Sequence, residues 1–77
     1  MGPLFADFVR VHVEFRPRRK PARDVELPAG AKVADVLAAV GESRDHTLVL
    51  RAAEPVTEEE AARDGDRFTL VSAFSGG

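Results

Sequence analysis

The 77-residue chain has no cysteine, tryptophan or tyrosine, a single methionine, and lysine only at Lys20 and Lys32. Without cysteine there is no disulfide framework, no thiolate metal site and no cysteine nucleophile. Histidine is almost as scarce. His12 and His46 stand far apart and read as strand or loop residues rather than metal ligands. No Gly-rich phosphate loop, paired-His motif or nucleophile elbow occurs. No apolar run approaches the ~20 residues of a membrane span. The start, Met1-Gly2-Pro3-Leu4-Phe5, lacks the basic region and long apolar core of a signal peptide. Ala6 stands where a myristoylation site needs Ser or Thr. A cytoplasmic address follows by default. With such an inventory the chain is expected to be no enzyme; if it takes part in chemistry, it does so as a substrate or carrier. Eleven basic and 13 acidic residues leave a formal charge of −2, with both signs mixed along the chain. That balance argues against direct nucleic-acid binding.

What is present reads as β-β-α-β-β. From Phe8, the residues Val9, Val11, Val13 and Phe15 alternate with Arg10, His12 and Glu14, the period of a half-buried strand. A basic turn, Arg16-Pro17-Arg18-Arg19-Lys20-Pro21-Ala22, follows, and its prolines prevent continued ladder pairing. Val25 and Leu27 then alternate with Asp24 and Glu26 as a second strand, ended by Pro28-Ala29-Gly30. Val33, Val36, Leu37 and Val40 fall at the spacing of one apolar helical stripe, with Asp35 in the first turn and Gly41 at the C-cap position. His46 to Arg51 predicts a third strand with a nearly continuous apolar run. Ala52 to Val56 predicts a turn into a very short fourth strand. Thr57 to Ala62 is expected to form a short helical turn with Glu60 in a capping box. After the turn Arg63-Asp64-Gly65-Asp66, a last strand is expected from Arg67 to about Ala73, with Phe68 and Leu70 inward.

The fold class expected from this order is α+β, a β-grasp in which a mixed sheet packs on one helix. The first and last strands would lie parallel at the sheet centre. The expected core is Val9, Val11, Val13, Phe15, Val25, Leu27, Val33, Val36, Leu37, Val40, Leu48, Leu50, Val56, Phe68 and Leu70. One domain, residues 8–74, is expected, preceded by residues 1–7 and followed by a flexible tail, 75–77. Residues 1–7 read either as disordered or as an apolar arm through Leu4, Phe5 and Phe8.

The final residues, Phe74-Ser75-Gly76-Gly77, carry the most chemical information. Glycine makes up about 7% of ordinary proteins, so a terminal pair arises by chance in roughly 0.5% of chains. Lacking a Cβ, glycine lets a backbone approach a partner closely, as a carboxylate drawn into an adenylating site requires. A frayed terminus gives the same two residues, and the ending alone does not choose between these readings.

The run Ala31-Lys32-Val33-Ala34-Asp35-Val36-Leu37, the stretch Glu54-Pro55-Val56-Thr57, Asp64-Gly65-Asp66 and the Ser75-Gly76-Gly77 end resemble the ubiquitin-like sulfur carriers (MoaD/ThiS). That group includes the carriers for tRNA thiolation that double as small archaeal or bacterial protein modifiers. The resemblance spans most of the chain from Phe8. It implies adenylation of Gly77 by a ubiquitin-activating-type enzyme using ATP and Mg²⁺, with no cofactor bound by the chain itself. A sulfur donor then gives a thiocarboxylate at Gly77 for an acceptor enzyme of the tRNA thiolation, molybdopterin or thiamine pathway. Alternatively, a lysine of a target protein captures the acyl group as an isopeptide. Gly76, Ser75 and Phe74 would be the tail residues recognised in the partner's channel.

Two features depart from the pattern. Relatives often carry Asn-Gly at the turn between strands three and four; Ala52-Ala53 here imply a different turn type. The segment between helix and tail is short for a molybdopterin-synthase small subunit. Phe8, Val49 and Val71 are the candidate docking residues on the sheet face away from the helix. Lys20 and Lys32 are the candidate sites for self-conjugation. The basic cluster Arg16, Arg18, Arg19, Lys20 and Arg23 is read as a solvated loop before a docking surface for acidic partners or tRNA.

Overall fold

The structure, a computed structural model, describes residues 8–18 and 20–72. Six elements occur in the order β1 (Phe8–Arg16), β2 (Arg23–Pro28), α1 (Val33–Val40), β3 (Thr47–Arg51), β4 (Glu54–Val56) and β5 (Arg67–Ser72). The five strands form one sheet in the order β2-β1-β5-β3-β4. β1 and β5 run parallel, from His12 opposite Arg67 to Arg16 opposite Val71, and the other pairings are antiparallel. This is the expected β-grasp arrangement, with the last strand in the middle of the sheet.

Helix α1 forms where the apolar spacing places it, and Val33, Val36, Leu37 and Val40 are its buried residues. Its ends are closed largely by backbone. Asp35 Oδ2 accepts the Lys32 N–H at 2.8 Å. The next two N–H groups, of Val33 and Ala34, donate to the carbonyls of Glu60 (2.9 Å) and Glu58 (3.0 Å). At the other end Gly41 takes φ 74°. Its N–H reaches the Ala38 carbonyl while that of Glu42 reaches Leu37. This is a Schellman closure, which satisfies carbonyls the helix leaves open.

The core lies between α1 and one sheet face. Phe68, Leu70, Val11, Val13, Val33, Val36 and Leu37 are its most deeply buried members. Ala31 and Ala62 join them, held beside the helix start by a bridge between Lys32 and Ala61 and by the Ala62 N–H donating to the Ala31 carbonyl at 2.9 Å. Val9 and Val56 are partly buried against this core.

Three local expectations are corrected. In β3 the inward residue is Val49, 4% exposed, whereas Leu48 is 45% exposed and faces out. The register decides this: Val49 lies opposite the inward Leu70, and Leu48 opposite Val71. Leu50, half-buried, alternates to the outer face with Leu48. Second, residues 57–60 form a turn rather than a helical turn, closed by the Glu60 N–H on the Thr57 carbonyl at 3.1 Å, and their carbonyls serve α1 instead. Third, Ala52 (φ 50°) and Ala53 (φ 73°) both occupy the left-handed region. The β3–β4 hairpin therefore has the two positive φ values of a type I′ turn, without the Asn or Gly that makes such a turn easy.

Candidate functional site

The outer sheet face divides into a charged half and an apolar half. On β1 and β2, His12 Nδ1 lies 2.8 Å from Asp24 Oδ1, His12 Nε2 lies 3.4 Å from Glu14 Oε2, and Arg10 stands 3.9 Å from Glu26. On β5 and β3 the outward positions are Thr69, Val71, Leu48 and Leu50, with Pro55 of β4 beyond Leu50. Leu48, Leu50 and Val71 form the apolar patch. It adjoins the end of β5, where Thr47 is paired with Ser72.

The candidate docking residues separate accordingly. Val71 belongs to the patch. Val49 does not, because it is buried in the core. Phe8 is 59% exposed, but it lies at the opposite end of β1 from Arg16, eight residues or about 26 Å along the strand. Leu48 and Leu50 take their place. Phe74, Ser75, Gly76 and Gly77 lie outside the described residues, as do residues 1–7 and the proposed tail 75–77.

Both ends of the sheet carry polar structure. At the pole where β5 ends, Lys20 donates to the Val40 carbonyl at 3.1 Å and pairs with Glu42 Oε2 at 2.7 Å. Its ammonium also stands 5.4 Å from the centre of the Phe15 ring. A groove of about 580 Å³ lies between Phe15, Arg16, Arg18 and Lys20. At the opposite pole Arg51 crosses the Phe68 ring at 5.5 Å. It donates from Nη2 to the Ala61 carbonyl at 2.6 Å and lies 3.3 Å from Asp66 and 3.8 Å from Glu60. Sequence reasoning passed over Arg51 as a strand end. The acidic residues clustered downstream, Glu58 to Glu60, Asp64 and Asp66, were the available signal that a cation anchors that segment. Among the described residues no group of three His, Asp or Glu side chains could hold a metal ion. No helix among them is long and apolar enough to cross a membrane.

No family model matches the chain, and no curated protein matches it either. Solved structures do. The fold is ubiquitin-like: it aligns with Caldiarchaeum subterraneum ubiquitin at a TM-score of 0.69 and 19% identity, covering 91% of this chain and 99% of that one. SAMP1 from Haloferax volcanii aligns at 0.69 and 25% identity, over 88% and 99%. The ubiquitin-like domain of an Arabidopsis thaliana protein aligns at 0.72 with 7% identity, over 97% and 87%. The chain is thus a small ubiquitin-like protein whose structural neighbours include those of archaea.

Proposed function

We propose that this protein is a ubiquitin-like sulfur carrier that works through the carboxyl group of Gly77. In this reading the carboxylate attacks the α-phosphorus of ATP on an activating enzyme, releasing pyrophosphate and forming an acyl-adenylate. Mg²⁺ and ATP belong to that enzyme. Hydrosulfide then displaces AMP and leaves a thiocarboxylate, from which an acceptor enzyme draws sulfur. The observation that carries the reading is the central position of β5. The strand that leads to Phe74-Ser75-Gly76-Gly77 ends beside Leu48 and Val71, so an enzyme seated on that apolar patch has the tail within reach.

The test is intact mass after incubation with a ubiquitin-activating-type enzyme, ATP, Mg²⁺ and sulfide. One oxygen replaced by sulfur at Gly77 is the expected product. Pyrophosphate release without sulfur incorporation would leave activation standing and reject the carrier role.

A second fate of the same adenylate is capture by a lysine of a target protein. The exposed side chain of Lys32 favours giving it an assay of its own, because this chain then offers an amine to a second copy. Higher-mass conjugates in cells that vanish when Gly77 is deleted are the expected sign. Both fates are consistent with a cytoplasmic protein.

A further inference from the structure

Charge is spread unevenly along the chain. Residues 16–23 hold five of its 11 basic residues and none of its 13 acidic ones, so the remainder carries an acidic excess. A surface shaped only for solubility interleaves the two signs. The fold turns this run into a groove of about 580 Å³, with Glu14, Phe15, Arg16, Arg18, Lys20 and Pro21 in its lining. That volume falls within the range of about 300–1,000 Å³ typical of ligand clefts. The loop is tied down. Lys20 donates to the Val40 carbonyl at the end of α1 (3.1 Å) and to Glu42 Oε2 (2.7 Å). Pro17 and Pro21 each fix a φ angle. The carboxylates beside the groove already have partners in this chain: Glu42 has Lys20, and Glu14 has His12 Nε2 at 3.4 Å. The exposed Arg18 makes no hydrogen bond or ion pair with a described residue.

We propose that this groove is a docking site for an acidic peptide segment of a partner protein. Arg18 and Arg16 take its carboxylates, each guanidinium offering a planar fork that matches a carboxylate bidentately. Lys20 has one N–H left after its two internal bonds and adds a third contact. Glu42 shows the same chemistry within the chain, since the carboxylate set against this loop is bound at 2.7 Å. Because the loop is fastened to the end of α1, its cations need little further ordering when a ligand arrives. Nucleic acid suits the site less well. Single-stranded bases stack on exposed aromatic rings, whereas Phe15 is 4% exposed and the chain has no Tyr or Trp. The exposed Phe8 lies at the far end of β1. A phosphate backbone that continued along the sheet would meet the exposed carboxylates of β2, Asp24 and Glu26. A short acidic segment ends its charge where the groove ends.

The test is a titration of the full chain, followed by amide chemical shifts, at about 0.1 M salt, where distant charges are screened. The probes are a capped hexaglutamate peptide and a single-stranded oligouridine of matching charge. The peptide is expected to bind more tightly, with the shifted amides confined to residues 14–23. Arg18→Glu is expected to weaken it about tenfold or more, the factor for at least one charged hydrogen bond. Arg18→Lys is expected to restore the affinity only in part, because an ammonium keeps the charge and loses the fork. Thermal melts matching the parent show that both variants remain folded, as an exposed position allows. Absence of peptide binding, shifts spread over the whole surface, or full recovery in Arg18→Lys would each overturn the assignment. Oligouridine binding as tight as the peptide's would overturn the choice of partner. The titration asks nothing of Gly77, so its failure and that of the carrier reading are separate results.

Discussion

Arg51 Nη2 donates to the carbonyl of Ala61 at 2.6 Å, joining the end of β3 to the segment that covers the start of α1. That carbonyl belongs to the stretch whose neighbours, Glu58 and Glu60, accept from the first helical N–H groups. One side chain thus ties sheet, loop and helix together, with the Phe68 ring beneath it. Arg51→Ala is expected to destabilise the fold by about 2–4 kcal/mol, combining a charged hydrogen bond with a cation–π contact. Arg51→Lys is expected to recover less than half, because one ammonium cannot reproduce the planar fork that reaches Ala61, Asp66 and Glu60. Urea denaturation of both variants checks this; a Lys variant as stable as the parent would refute the role of the fork.

The Ala52-Ala53 turn predicts the opposite sign. Each alanine sits in a left-handed conformation that costs an L-residue roughly 1–2 kcal/mol. Ala53→Gly is expected to stabilise the protein by about 1 kcal/mol, and Ala52→Asn combined with it by somewhat more. The denaturation midpoint should rise with no change in slope.

Leu48 and Val49 are sequence neighbours with opposite jobs. Val49→Ala empties part of the core and is expected to cost about 2 kcal/mol. Leu48→Ala is expected to shift stability by less than about 0.5 kcal/mol while weakening association with an activating enzyme. Calorimetric titration beside thermal melts separates the two. A Leu48 variant that binds normally would remove the patch from the docking surface.

At the helix end, Gly41 has open space around a would-be Cβ but a φ of 74°. Gly41→Ala is therefore expected to cost about 1 kcal/mol through backbone strain alone. Gly41→Asn should cost less, since Asn tolerates that conformation better. Reversing that order in a melt would show that packing, rather than φ, governs the position.

The helix and the outer strands were legible because their patterns are unambiguous. Val33, Val36, Leu37 and Val40 admit one helical face, and Val9 to Phe15 admit one strand parity. Leu48-Val49-Leu50 admits two parities, since three apolar residues in a row carry no period. Only pairing with β5, Val49 against Leu70, selects one. Ala31 and Ala62 escaped notice because a small side chain carries little hydropathy signal, although burial at a helix start requires one. The turn at Ala52-Ala53 was misjudged because its backbone is imposed by the two strands it joins and not invited by its residues. Of the candidate site, Val71 was legible as an outward residue of β5. Its partner Leu48 was hidden by the same ambiguity that misplaced Val49.

The central place of β5 bears on how the protein is made. β5 is synthesised after the other four strands of the sheet, yet it alone joins the β2–β1 hairpin to the β3–β4 hairpin. A chain interrupted before Arg67 has two hairpins and no sheet between them, and isolated hairpins are marginal in water. Folding must wait for contacts as distant as His12 with Arg67, the slow kind to close. Completion of the sheet therefore certifies that synthesis has passed Ser72. A chain interrupted before Val71 lacks the strand that sets Val71 beside Leu48, so that face exists only once all five strands have been made.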